Sequence, residues 1–219
     1  MQTRRLFVSL LGTASAAAAL RPAFAASLPA SPAPPTDPEQ WDLSWLGTLR
    51  GRHRQVFDCG PFQEDLPPLR IVANWLEAHR TVYGLEHPKV NAVIGIAGSA
   101  FPINASDAIW SKYKLGEGWK LHDPATKEWA TSNFYYDPPA GSPFARMSVK
   151  SLQAKGTIFW QCNNALLAVA DRLAKATGQA PGPTYEELRA GLNPGVRLVP
   201  AHTMVIGLAQ ERGCAYEKL

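Results

Sequence analysis

Cysteine is scarce in this chain of 219 residues: there are three, Cys59, Cys162 and Cys214. Three are too few for a disulfide framework, and an odd number leaves at least one thiol unpaired within a monomer. The sequence contains no C-x-x-C-H, no paired C-x-x-C, no G-x-S-x-G and no G-x-x-x-x-G-K-[ST]. Their absence removes sequence support for haem attachment, a structural zinc, a serine-hydrolase elbow and a phosphate-binding loop. There is also no block of Lys and Arg to neutralise a run of phosphates, so nucleic acid is not an expected partner. Long apolar runs are missing as well. The first, over residues 8–20, has 13 residues, short of the roughly 20 that span a bilayer. No later run is long enough, so no stable membrane span is expected.

That first run has another meaning. It follows Arg4-Arg5 and leads to Ala23-Phe24-Ala25, the order of a twin-arginine export signal with a small-x-small cleavage site. Cleavage before Ala26 is expected, delivering the protein to the periplasm. Removing 25 residues from 219 leaves 194, enough for one domain with a substantial core. The net charge of +4 includes Arg4, Arg5 and Arg21, so the mature chain is close to neutral. Residues 26–50 read as a linker containing Pro29, Pro32, Pro34, Pro35 and Pro38, then an apolar strap over 41–49.

From residue 51 the pattern is regular. Strands are expected at 55–59, 90–97, 157–161, 196–199 and 214–216, with helices at 67–83, 165–177, 184–192 and 203–212 between them. Thr184 and Glu187 have capping-box spacing, and Gly84 and Gly178 stand where helices should end. Near-continuous apolar strands alternating with helices argue for an open parallel sheet in the doubly wound α/β class. The first helix has two apolar stripes, Leu69/Val72/Ala73/Leu76 and Ile71/Trp75/Ala78/Val82. One should face the sheet and the other a second subunit, implying a homo-oligomer. Residues 101–144 form an aromatic insertion with Ser106 as an expected helix N-cap. It is either a loop with its own hydrophobic cluster or a lid or partner surface.

In such a sheet the loops after the strands' carboxyl ends gather along one edge, where ligands bind. Cys59, Ser99, Cys162 and His202 each follow a strand, whereas Cys214 begins one. Cys162 lies between a strand and a helix N-terminus, where unpaired amide N–H groups and the positive end of the helix dipole stabilise a thiolate. Asn163 or Asn164 could cap that helix. Cys59 could be a resolving thiol, a disulfide partner for Cys162 or a packed thiol. The candidate catalytic residues are therefore Cys162, Asn163 and His202, and the candidate binding residues Cys59, Ser99 and Asn164. The ligands Cys59, Cys162 and His202 are too scattered in sequence for a metal to be expected.

The run Cys162-Asn163-Asn164-Ala165-Leu166, the stretch Leu192-Asn193-Pro194-Gly195-Val196-Arg197-Leu198-Val199-Pro200-Ala201, and the closing Gly213-Cys214-Ala215-Tyr216 resemble the DsrE/DsrF-like family. The resemblance implies a three-layer α/β/α sandwich with an open, mainly parallel five-stranded sheet, oligomers, and no organic cofactor. In sulfur-trafficking members a cysteine matching Cys162 carries sulfur as a persulfide. The expected partners are then a sulfur-containing small molecule or a sulfur-relay protein. The family's relays are cytoplasmic, whereas this chain has an export signal. The alternative is a non-catalytic binding or assembly module with Cys162 merely packed.

Overall fold

The computed structural model describes residues 41–60 and 68–219; the expected signal, its cleavage site and the proline-rich linker lie outside them. Five strands form one sheet: β1 (His53–Cys59), β2 (Val90–Ile96), β3 (Ile158–Cys162), β4 (Arg197–Val199) and β5 (Ala215–Lys218). All pair in parallel, in the order β4-β3-β2-β1-β5. Among the described residues seven α-helices accompany them: α1 (Pro68–Tyr83), α2 (Asp107–Lys112), α3 (Leu115–Trp119), α4 (Val149–Ala154), α5 (Asn163–Thr177), α6 (Pro181–Ala190) and α7 (His202–Glu211). The fold is the expected three-layer α/β/α sandwich.

Strand order explains the unequal layers. The chain steps from β1 to β4 in one direction, and right-handed crossovers keep every connecting helix of those steps on one face. The return from β4 to β5 runs the opposite way, so α7 must cover the other face. Two cores result. Phe57, Cys59, Ile94, Ile96 and Phe159 face the larger layer, with Leu69, Val72 and Leu76 of α1 and Leu166 and Leu173 of α5. Val56, Val93, Trp160 and Val199 face α7 through Val205, Ile206 and Ala209. The apolar strap over 41–49 completes that second layer: a 3-10 turn, Ser44–Thr48, buries Trp45 and Leu46, and the Trp45 and Trp160 ring centroids are 5.8 Å apart. Each fully buried Phe or Ile contributes about 1.5–3 kcal/mol of hydrophobic stabilisation.

Gly84 ends α1 as expected: at φ +63° it allows Gly84 N to reach Arg80 O and Leu85 N to reach His79 O, a paired closure that a residue with a Cβ resists. Two local expectations, at Thr184 and at the start of α5, are corrected, and a third, Ser106 as a helix N-cap, holds in position. Thr184 is not a cap; α6 begins at Pro181 because proline suits the first helical turn, and the Thr184 hydroxyl donates back to Ala180 O at 3.0 Å. Ser106 stands at the N-cap of α2 but makes no side-chain cap bond. At the start of α5 neither Asn163 nor Asn164 is the cap, since Cys162 itself occupies that position.

The insertion is not a separate cluster. Phe101, Ile103, Ile109, Trp110, Leu115, Leu121 and Tyr135 merge with the larger core. Asn133 fastens the loop from inside, its Nδ2 donating to the carbonyls of Pro102, Ile103 and Ala105. On α1 the first stripe packs on the sheet, whereas Ile71, Ala78 and Val82 of the second stripe are exposed and Trp75 is half-buried. Among the described residues, no helix is long and apolar enough to cross a membrane.

Candidate functional site

Cys162 is the last residue of β3 and the N-cap of α5, with φ −70° and ψ 124° still extended. Its side chain points to the face covered by α7, two residues on from Trp160. The sulfur makes no bond to its own helix. Instead it accepts the backbone N–H of His202, the first residue of α7, at 3.4 Å. The N-cap of α7 is Ala201, which has no polar side chain to satisfy the unpaired N–H groups that open every helix. Cys162 Sγ supplies that missing acceptor from across the sheet. One sulfur thus meets the N-terminal ends of two helices of 15 and 10 residues. Both dipoles favour negative charge there.

The imidazole of His202 is fixed by two further strands. Trp160 Nε1 is 3.2 Å from His202 Nδ1, and His202 Nε2 is 2.7 Å from Asp58 Oδ1. Asp58 in turn accepts from the Tyr216 hydroxyl at 2.7 Å through Oδ2, and this bond, ahead of desolvation and the carboxylate's charge, pushes the Tyr216 phenol's pKa up. Gly95 on β2 makes the convergence possible. A Cβ there would lie 2.3 Å from Trp160 Cζ2 and 2.6 Å from His202 Cε1, so only glycine leaves room for indole and imidazole to cross the strand. The chain Tyr216–Asp58–His202–Trp160 therefore spans β5, β1, α7 and β3, with β2 passing beneath at Gly95.

Cys59 is at the same sheet edge but not at the same site. Asp58 points toward α7, so strand alternation turns Cys59 to the opposite face, among the larger core. The register runs from Cys59 to Ile96 on β2 and from Ile96 to Gln161 on β3. Two strand spacings of about 4.8 Å separate β1 from β3, beyond the roughly 7 Å between Cα atoms that a disulfide tolerates. The expected exchange between Cys59 and Cys162 therefore fails on geometry, and all three thiols are free. Burial first, and the neighbouring Asp58 charge second, push the Cys59 thiol up to about 12. Cys214 precedes β5 at the opposite end of the sheet, and burial raises its pKa too, against a lowering by Arg54.

The other sequence candidates scatter. Asn163 is fully buried; its Oδ1 accepts from the Tyr185 hydroxyl of α6 at 2.7 Å, and its Nδ2 has no partner among the described residues. Asn164 is exposed on the first turn of α5. Ser99 is exposed in the 3-10 turn Gly98–Asn104, and its carbonyl accepts from Trp119 Nε1 at 2.8 Å. The structure thus brings Cys162 and His202 together and adds Asp58, Trp160, Tyr216 and Gly95, none of which was singled out in the sequence. The signal for Asp58 was a carboxylate between the apolar Val56-Phe57 and Cys59 at the end of β1, where an unpaired charge is costly. No group of three or more His, Cys, Asp or Glu among the described residues is arranged to hold a metal ion.

No protein-family model matches the chain, and no curated protein does. Among solved structures, the chain is similar to a protein of unknown function, MTH1491, from Methanobacterium thermoautotrophicum. The two are 17% identical with a TM-score of 0.37, over 76% of this chain and 99% of that one. A likeness of that degree says nothing about activity, and the chemistry of the site is argued from its own geometry.

Proposed function

We propose that the protein is an exported sulfur-handling protein of the DsrE/DsrF type, in which Cys162 carries sulfur as a persulfide. One observation carries the reading: Cys162 Sγ is the acceptor at the opening of α7 while its own residue opens α5, so a backbone donor and two helix ends converge on one sulfur. The chemistry needs no cofactor. The Cys162 thiolate attacks the terminal sulfur of a persulfide donor, a new S–S bond forms, the donor's S–S bond breaks, and the donor leaves as a thiolate. Transfer to an acceptor thiolate is the same step in reverse. The negative charge passes from the Cys162 sulfur to the donor's, and the two helix ends stabilise it while it is on Cys162, before attack and again after transfer to the acceptor. The twin-arginine sequence supports action in the periplasm, and the exposed stripe on α1 supports a homo-oligomer.

The alternative, a non-catalytic binding module, has one observation in its favour. A cavity of about 500 Å³ lies within the insertion, bordered by Asp107, Asp123, Asp137 and several prolines. Those carboxylates are already engaged by Asn133 N, by Ala125 and Thr126 N, and by Lys150, which favours the Cys162 reading. Intact-mass analysis of protein purified from its own periplasm tests it. A sulfur adduct that persists in Cys59→Ser and disappears in Cys162→Ser is the expected result; an adduct-free protein that also accepts no sulfur from a small-molecule persulfide contradicts it.

A further inference from the structure

A histidine beside a cysteine suggests a general base, but the ring of His202 is committed elsewhere. Indole nitrogen is a donor only, so His202 Nδ1 must accept from Trp160, and the ring proton must sit on Nε2 and be donated to Asp58. Neither nitrogen is left to take a proton from Cys162. What His202 offers the sulfur is its backbone N–H.

We propose that Asp58 is a positioning residue for Cys162, acting through the imidazole of His202. The carboxylate, itself held by the Tyr216 hydroxyl, anchors the ring from β1; Trp160 anchors it from β3; together they fix the first residue of α7 so that its amide stays on Cys162 Sγ. The first turn of a helix frays readily when its cap is weak, and Ala201 provides no side-chain cap. Anchoring by the ring holds that first turn against the acceptor that Cys162 supplies. The side chains of His202 and Asp58 are 11% and 16% exposed, so the anchor is shielded from most of the water that would compete for it. The proposal rests on the reading of Cys162 as the reactive sulfur, but the anchoring is measurable without any sulfur donor.

The test compares Asp58→Ala, Asp58→Asn, His202→Ala and His202→Gln by two readouts: hydrogen exchange of the residue-202 amide by NMR, and the iodoacetamide labelling rate of Cys162. Asparagine keeps an acceptor for the ring. Glutamine offers an N–H to Asp58 and an oxygen to Trp160. Both alanine variants should exchange that amide at least about tenfold faster and label Cys162 about tenfold more slowly, since a hydrogen bond to a charged group is lost. Asparagine and glutamine should each restore most of both. If glutamine labels as slowly as alanine while its amide stays protected, the ring is a base and the proposal falls. Unchanged amide exchange in Asp58→Ala overturns it whatever Cys162 does. A wild-type Cys162 that never labels sinks the sulfur reading instead, and leaves the exchange data to decide the anchoring. Should Asp58→Ala not fold, Trp160→Phe removes the indole donor while keeping an aromatic ring, and the same amide-exchange outcomes decide.

Discussion

Replacing Gly95 by alanine puts one methyl group into the most crowded point of the α7 face. The added carbon would stand 2.3 Å from Trp160 Cζ2 and 2.6 Å from His202 Cε1, about 1 Å closer than ordinary carbon contacts allow. Neither neighbour yields easily. Trp160 is fully buried against Trp45, and His202 is tied to Asp58. Overpacking of a filled core costs about 1–3 kcal/mol. The rigidity of both rings argues for the upper end, offset by the roughly 0.5–1 kcal/mol that alanine gains over glycine in a strand. The net expectation is a loss of about 2 kcal/mol, a fall of roughly 4–8 °C in Tm for a domain of this size. Gly207→Ala is the matched control: it lies on α7, a Cβ there meets nothing within 4 Å, and alanine should raise stability by about 0.5–1 kcal/mol. Urea denaturation of the three proteins, with slopes compared to confirm two-state unfolding, measures both. A Gly95→Ala variant within about 0.5 kcal/mol of wild type would refute the crossing of indole and imidazole over β2.

Three other outcomes follow from the same structure. The Cys59 thiol, raised from 9.0 to about 12, stays protonated in the native state while the unfolded chain ionises above pH 9, so stability is full below pH 9 and falls as pH rises toward 12. The loss from this group is about 1.4 kcal/mol at pH 10, and Cys59→Ala should flatten that slope in chemical denaturation; an identical slope would contradict it. Light scattering should find more than a monomer, with Val82→Glu, at a position 69% exposed, shifting the protein toward monomer; a clean monomer at micromolar concentration would leave the α1 stripe without a partner. Replacing Arg4 and Arg5 by lysine should trap precursor inside the cell, and normal processing of that variant would contradict the twin-arginine reading.

β2 and the longer helices were legible because each is written as a near-continuous apolar run or a 3.6-residue period closed by glycine. Cys162 was legible for the same reason, as a polar residue at a strand-to-helix junction. Strand order was not. Nothing local says that β5 pairs with β1, and without that pairing Tyr216 cannot be brought to Asp58. The face of Cys59 was recoverable in principle from alternation, since Asp58 and Cys59 must point opposite ways, but which face α7 covers depends on the direction of the β4-to-β5 return. Thr184 misled because a capping-box spacing does not outweigh a proline three residues earlier that suits the first helical turn. The aromatic insertion has no steady period because its side chains fill a surface shaped by other elements.

The central claim is that Cys162 is the sulfur that does chemistry, and timed iodoacetamide labelling of the folded protein, resolved by mass spectrometry of peptides, tests it most directly. All three thiols are buried; burial raises the pKa of Cys59 and Cys214, while Cys162 sits at the sheet edge and accepts the His202 N–H at the opening of α7. At neutral pH Cys162 should label first and Cys59 last. Labelling of Cys214 ahead of Cys162, under conditions where the protein remains folded, would contradict the account.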